Sequence, residues 1–257
     1  MRSLICLCCL IVLMAGPAAA RELSPGIIGE DDRERVEGGG PPWDAVGQVN
    51  VAGYRTKGRC TGTLVAPDLV LTAAHCVMDP VSKSPAPLST IHFLTGVNKS
   101  ADKGHAKAKC LHFPSGYEFI APEKFSPRHP GPVPLPALVS DIVAIVLTEP
   151  LKVDPVATAD ASLIGPDTPL THAAYPADRR FVLSVHRNCR MLHLLAGQPL
   201  GFTDCDTHPA SSGGPIFIEA DGALKLAAIM VATGGEKGNL ALVVSKWPEL
   251  ARDRSCP

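Results

Sequence analysis

The chain has 257 residues, 46% of them hydrophobic and 19% charged, so it holds enough apolar material for a buried core and too little net charge, −1, for a disordered tail protein. Its 24 basic and 25 acidic residues leave no general positive field, which excludes a nucleic-acid binder held by phosphate contacts. Of its nine cysteines, Cys6, Cys8 and Cys9 lie in the first nine residues. Cys60, Cys76, Cys110, Cys189, Cys205 and Cys256 remain, an even set that points to three disulfides in an oxidising compartment.

Residues 1–20 read as a secretory signal peptide. Arg2 precedes an apolar stretch too short to span a bilayer, and Ala18 and Ala20 give the small-residue pattern for cleavage before Arg21. The mature protein is therefore expected outside the cytoplasm, extracellular or periplasmic, with no membrane anchor once the signal is cleaved. Residues 21–35 are polar and charged with no apolar period, and read as a flexible arm or short pro-segment.

From Val36 the texture changes to short apolar runs broken by Gly and Pro. Gln48–Ala52, Thr61–Ala66, Leu69–Thr72, Ile142–Leu147, Phe181–Val185, Pro215–Ile218 and Leu226–Val231 have strand length, and turn signals such as Asp221-Gly222 and Gly234-Gly235 follow. Residues 121–136 hold six prolines and read as a long surface loop. One helix is expected, from about Ser245 to Arg254, with Pro248 in its first turn. Many short strands without a long helical period give an all-β fold, and residues 36–257 read as one domain.

Three patterns carry chemistry. They are Cys60-Thr-Gly-Thr-Leu-Val-Ala-Pro-Asp-Leu-Val-Leu-Thr-Ala-Ala-His75-Cys76, then Ser140-Asp141-Ile-Val-Ala-Ile-Val-Leu, then Asp206-Thr-His-Pro-Ala-Ser-Ser212-Gly-Gly-Pro215. A serine hydroxyl needs a neighbouring base to act as a nucleophile, an imidazole titrates in the right range, and a carboxylate on the far ring nitrogen fixes its tautomer. In these motifs the chain resembles the chymotrypsin/trypsin-like serine peptidases, and specifically a bacterial-type secreted member, over about Val36 to Leu250.

The resemblance implies two packed six-stranded antiparallel Greek-key β-barrels with a short C-terminal helix. It implies His75 as general base, Asp141 as orienting carboxylate and Ser212 as nucleophile, in the order these peptidases use. The backbone N–H groups of Ala210 and Ser212 would form the oxyanion hole. Cys60–Cys76 corresponds to the family's disulfide beside the histidine. Cys189 and Cys205 flank the strand pair leading to the nucleophile loop and are expected to pair; Cys110 and Cys256 remain, and their pairing would tie the C-terminus to the first barrel. Val231, Ala232 and Thr233 would form the edge that pairs with an extended peptide.

Asp206 matches the position of a carboxylate that selects Arg or Lys, or it braces its loop through backbone N–H groups. The family usually has Gly-Asp before the nucleophile; this chain has Ala210-Ser211, which places a Cβ at the oxyanion hole and removes a carboxylate used in zymogen activation. Arg35-Val36-Glu37-Gly38 nevertheless resembles an activation junction. No cofactor is expected, and no cysteine or histidine spacing suits zinc. His92, His105, His112, His172, His186 and His193 read as surface or packing residues, and Asn98-Lys99-Ser100 is a glycosylation sequon. The expected activity is exported serine endopeptidase, acting as a monomer on peptide or protein substrates. The alternative is a catalytically weak or inactive protease-like binding protein.

Overall fold

Alternation of small or branched apolar residues with polar ones, punctuated by turns, yields strands almost throughout. The computed structural model describes residues 26–54, 58–79, 81–117, 135–165 and 167–257. The signal segment with Cys6, Cys8 and Cys9, and the proline-rich stretch up to residue 134, lie outside these residues; the end of that stretch forms one short helical turn, α1 (Leu135–Leu138).

In chain order the strands are β1 (Glu34–Val36), β2 (Val46–Val51), β3 (Gly58–Ala66), β4 (Leu69–Thr72), the small hairpin β5 (Met78–Asp79) and β6 (Ser84–Pro85), β7 (Ile91–Thr95), β8 (Gly104–His112) and β9 (Val143–Leu147). They continue with β10 (Pro169–Ala174), β11 (Leu183–Leu194), β12 (Leu200–Thr203), β13 (Pro215–Ala220), β14 (Ala223–Thr233) and β15 (Asn239–Val243). The first barrel closes in the order β2-β3-β4-β9-β8-β7. The second runs β11-β10-β13-β14-β15-β12 and closes by pairing β11 with β12. The all-β, two-barrel expectation holds.

Each barrel is filled from the inside of its alternating strands. In β8, Ala106, Ala108 and Cys110 are buried while Lys107 and Lys109 face out. Phe93, Leu64, Leu71 and Ile145 fill the first barrel and Leu170, Leu200 and Phe217 belong to the second, all fully buried. Burial of each such side chain contributes roughly 1.5–3 kcal/mol. Three disulfides join Cys60 to Cys76, Cys110 to Cys256 and Cys189 to Cys205, the three pairings expected above.

Two expectations are corrected. The C-terminal helix is absent: Val244–Lys246 form one 3-10 turn, followed by turns in which Leu250 N–H reaches Trp247 and Arg252 N–H reaches Glu249. Pro248 lacks an N–H and drives the preceding Trp247 away from helical dihedrals, to φ −125° and ψ 66°. The described part of the arm is docked and not free. Glu34–Val36 pair antiparallel with Leu183–Val185, and Arg33 is buried at 8% exposure. Charge suggested solvent to sequence reading; partners about 145 residues away in the chain supply the compensation.

Candidate active site

Register brings the first two groups together. β4 pairs with β9, setting Thr72 opposite Val143. His75 follows Thr72 by three residues, on a buried 3-10 turn (Ala74–Val77), and Asp141 precedes Val143 by two. The Asp141 carboxylate accepts the His75 backbone N–H at 2.8 Å through Oδ1 and lies 2.7 Å from its Nδ1 through Oδ2. Both residues are buried, at 6% and 1% exposure. The carboxylate oxygen requires a proton on Nδ1, which leaves Nε2 as the basic nitrogen of the neutral ring.

Ser212 comes from the second barrel, in the loop between β12 and β13. The loop is pinned on both sides. Gly213 N–H donates to Met230 O, Met230 N–H to Gly214 O, and Ser211 N–H to His208 O. Across the barrel interface, Thr61 N–H donates to Ser212 O at 2.8 Å and Thr61 Oγ1 to Ala210 O at 3.1 Å. The Cys76 sulfur, next to His75, lies 3.8 Å from Ser212 O. The fit admits only glycine at position 213: its φ is +76°, and a Cβ there would lie 2.0 Å from Thr72 Oγ1 and 2.3 Å from Thr61 O. The Ser212 turn therefore seats on β3 and β4, the strands that lead to His75.

Among the described residues, nothing accepts the N–H of Ala210 or of Ser212. Ala210 sits at φ +76°, in the left-handed region, so its Cβ is strained where a glycine would not be. Ser211 is buried, and its hydroxyl accepts the His208 N–H at 3.3 Å within the loop. Ala232 and Thr233 pair with Leu240 and Asn239 of β15, whereas β13 pairing stops at Ile229. The other edge of residues 231–233 is unpaired among the described residues.

Asp206 does not open onto this edge as a free carboxylate. It is fully buried, and its oxygens accept Ile28 N–H at 2.8 Å and Asp32 N–H at 2.9 Å. Its own N–H donates to His186 Nδ1 at 2.8 Å. Burial raises its carboxyl above the usual range, against the pull of the two N–H groups and His186. The bracing role, not the charge-selecting one, fits this geometry. Arg35 and Val36 lie within β1, opposite Ser184 and Leu183, so the activation-like junction is inside a sheet.

Sequence reading missed Arg33. Its guanidinium binds Asp31 at 2.8 and 2.9 Å and Asp178 at 2.7 and 3.2 Å. The Arg33 hydrogen bond holds the Asp31 carboxyl down at about 2, and Asp178 also lies below its usual range although burial works against it. Nothing local in the sequence marks this cluster, because Asp178 is 145 residues from Arg33. Groups that resemble metal-ligand sets are otherwise engaged. Cys60, Cys76, Cys189 and Cys205 are in disulfides, and in the Asp32, His186, Asp206 group both Asp206 oxygens and His186 Nδ1 already accept backbone N–H groups.

The sequence model of the trypsin-like peptidase domain matches residues 60–225, more than half of the chain. No curated protein matches it by sequence. Among solved structures, a Glu endopeptidase is similar at a TM-score of 0.68 and 20% identity, over 87% of this chain and 96% of that one. The VesB protease of Vibrio cholerae is similar at 0.64 and 14% identity, over 85% of this chain and 65% of that one, so the chain spans just under two thirds of VesB's length. At such identities the likeness speaks for the fold, and the domain match joins it to the motifs above: this chain belongs to the trypsin-like peptidase family.

Proposed function

We propose that the protein is an exported serine endopeptidase working through His75, Asp141 and Ser212. The observation that carries the reading is the Asp141 carboxylate gripping both the backbone and the ring of His75, with the Ser212 turn seated against the same strands. A peptide pairs with the free edge of Val231, Ala232 and Thr233, which presents its carbonyl to Ser212. Ser212 Oγ attacks the carbonyl carbon while its proton passes to His75 Nε2, and the oxyanion meets the N–H groups of Ala210 and Ser212. The C–N bond breaks as His75 returns the proton to the leaving amine. Water, activated by His75, then hydrolyses the acyl ester and restores Ser212. Hydroxyl, imidazole, carboxylate and two backbone donors suffice for this chemistry, and one chain supplies them all, so a monomer can act.

Export rests on residues 1–20 as a cleaved signal, and three disulfides fit an oxidising compartment. No helix among the described residues is long and apolar enough to cross a membrane. A fluorophosphonate probe tests the reading: the folded mature protein is expected to label, and Ser212→Ala is not. Absence of labelling in folded, disulfide-intact protein would favour the binding-protein alternative.

A further inference from the structure

The reading above leaves the residue selected before the scissile bond undefined. In the proposed pose, a peptide on the 231–233 edge that reaches Ser212 has that side chain between the 206–212 loop and Thr233. The segment Gly26–Arg33, which lies before the matched family domain, runs into this gap. Gly26 O accepts the N–H of Thr207 at 2.9 Å and the Asn239 Nδ2 at 2.8 Å. Gly26 has φ +85°, and a Cβ on it would lie 2.7 Å from Thr207 Cγ2 and 3.0 Å from Thr233 Cγ2. Bare backbone is thus wedged between the two threonines that bound the gap.

The strap is tied down along its length. Ile28 and Asp32 N–H groups cap both oxygens of Asp206, and Arg33 links Asp31 to Asp178. Beyond Arg33 the chain enters β1. The Asp206 carboxylate is therefore already satisfied and covered. A lysine or arginine side chain entering the gap would lose hydration without gaining an ion pair from Asp206, which is unfavourable. A large ring would have to displace an anchored backbone. Thr207 is itself buried, and its hydroxyl has no hydrogen-bond partner among the described residues, so a polar partner remains wanted there.

We propose that the Gly26–Arg33 strap forms the floor of the specificity pocket and restricts the enzyme to peptide bonds after small, uncharged residues such as Ala, Ser, Thr and Val. The inference rests on the serine endopeptidase reading. The strap acts through position and excluded volume, and Asp206 serves as its anchor.

The test is a matched series of peptide substrates differing only in the residue before the scissile bond, read as kcat/KM alongside fluorophosphonate labelling. Ala, Ser, Thr and Val substrates are expected to exceed Arg, Lys and Phe substrates at least 10-fold. Labelling together with preferred cleavage after Arg, Lys or Phe would overturn the strap proposal and leave the peptidase reading standing; no labelling would overturn both. Ile28→Pro removes one N–H that holds the strap. In folded Ile28→Pro, the Ala-to-Leu ratio of kcat/KM is expected to fall at least 3-fold, and an unchanged ratio would overturn the strap's role. If that variant does not fold, the wild-type series decides alone.

Discussion

The Asp141 carboxylate holds His75 twice, through the backbone N–H at 2.8 Å and through ring Nδ1 at 2.7 Å. One oxygen fixes where the residue sits and the other fixes which nitrogen carries the proton. An asparagine at 141 keeps one acceptor but can turn its NH2 toward Nδ1, which moves the ring proton to Nε2 and removes the base. Asp141→Asn is expected to lower kcat by about 10⁴-fold on a peptide substrate. Its thermal unfolding midpoint should stay near wild type, since the second oxygen position still serves the backbone.

Ala210 carries its side chain at φ +76° in the loop that would hold the oxyanion. A left-handed conformation costs a residue with a Cβ roughly 1–2 kcal/mol, and glycine recovers part of that after its greater unfolded-state entropy. Ala210→Gly is therefore expected to stabilise the protein by about 0.5–1 kcal/mol, read by denaturant unfolding. Fluorophosphonate labelling should be as fast as wild type or faster.

His172 is buried on β10, opposite His186 on β11. Its Nδ1 donates to Pro215 O at 3.0 Å, while Nε2 has no partner among the described residues. Burial pushes its pKa down to about 4; the bond to Pro215 opposes this, and the neighbouring His186 and Arg33 add to it. The unfolded chain takes up this proton near pH 6.5, before the folded chain does. Stability is therefore untouched by His172 above about pH 6.5 and falls as pH drops toward 4, by about 3 kcal/mol in all. Chemical denaturation at pH 7, 5.5 and 4 should show the decline, and His172→Gln should flatten it.

Cys110 and Cys256 are 146 residues apart in sequence and join β8 to the last residues of the chain. The adjacent His112 also donates from Nε2 to Ser255 O at 2.7 Å. Cross-links that close long loops restrict the unfolded chain most. A Cys110→Ser, Cys256→Ser double variant is expected to lose about 2–5 kcal/mol in denaturant unfolding. Labelling of Ser212 should persist without denaturant, because the Ser212 loop takes its bonds from Thr61, Met230 and His208.

Local patterns were enough to place much of this protein. The runs at 48–52, 61–66, 69–72, 142–147 and 215–218 fall on strands β2, β3, β4, β9 and β13, because alternation and turn residues act within a few positions. The motifs singled out His75, Asp141 and Ser212 as candidates, and the resemblance carried the Cys60–Cys76 pairing, with the other two read from cysteine positions along the chain. Strand β8 had a readable alternation of alanine and lysine but little apolar bulk, and β1 consists of the charged-looking Glu34-Arg35-Val36. Only the assembled barrels decided the rest. Pairing β4 with β9 and seating Gly213 on Thr61 and Thr72 brought three distant motifs against one another. The same assembly buried Asp206 beneath Ile28 and Asp32 and gave Arg33 its carboxylates. A lone sequence reads charge as exposed, because the groups that satisfy it come from other segments of the folded chain. That is why a segment that read as a flexible arm or short pro-segment packs, in its described part, against the second barrel.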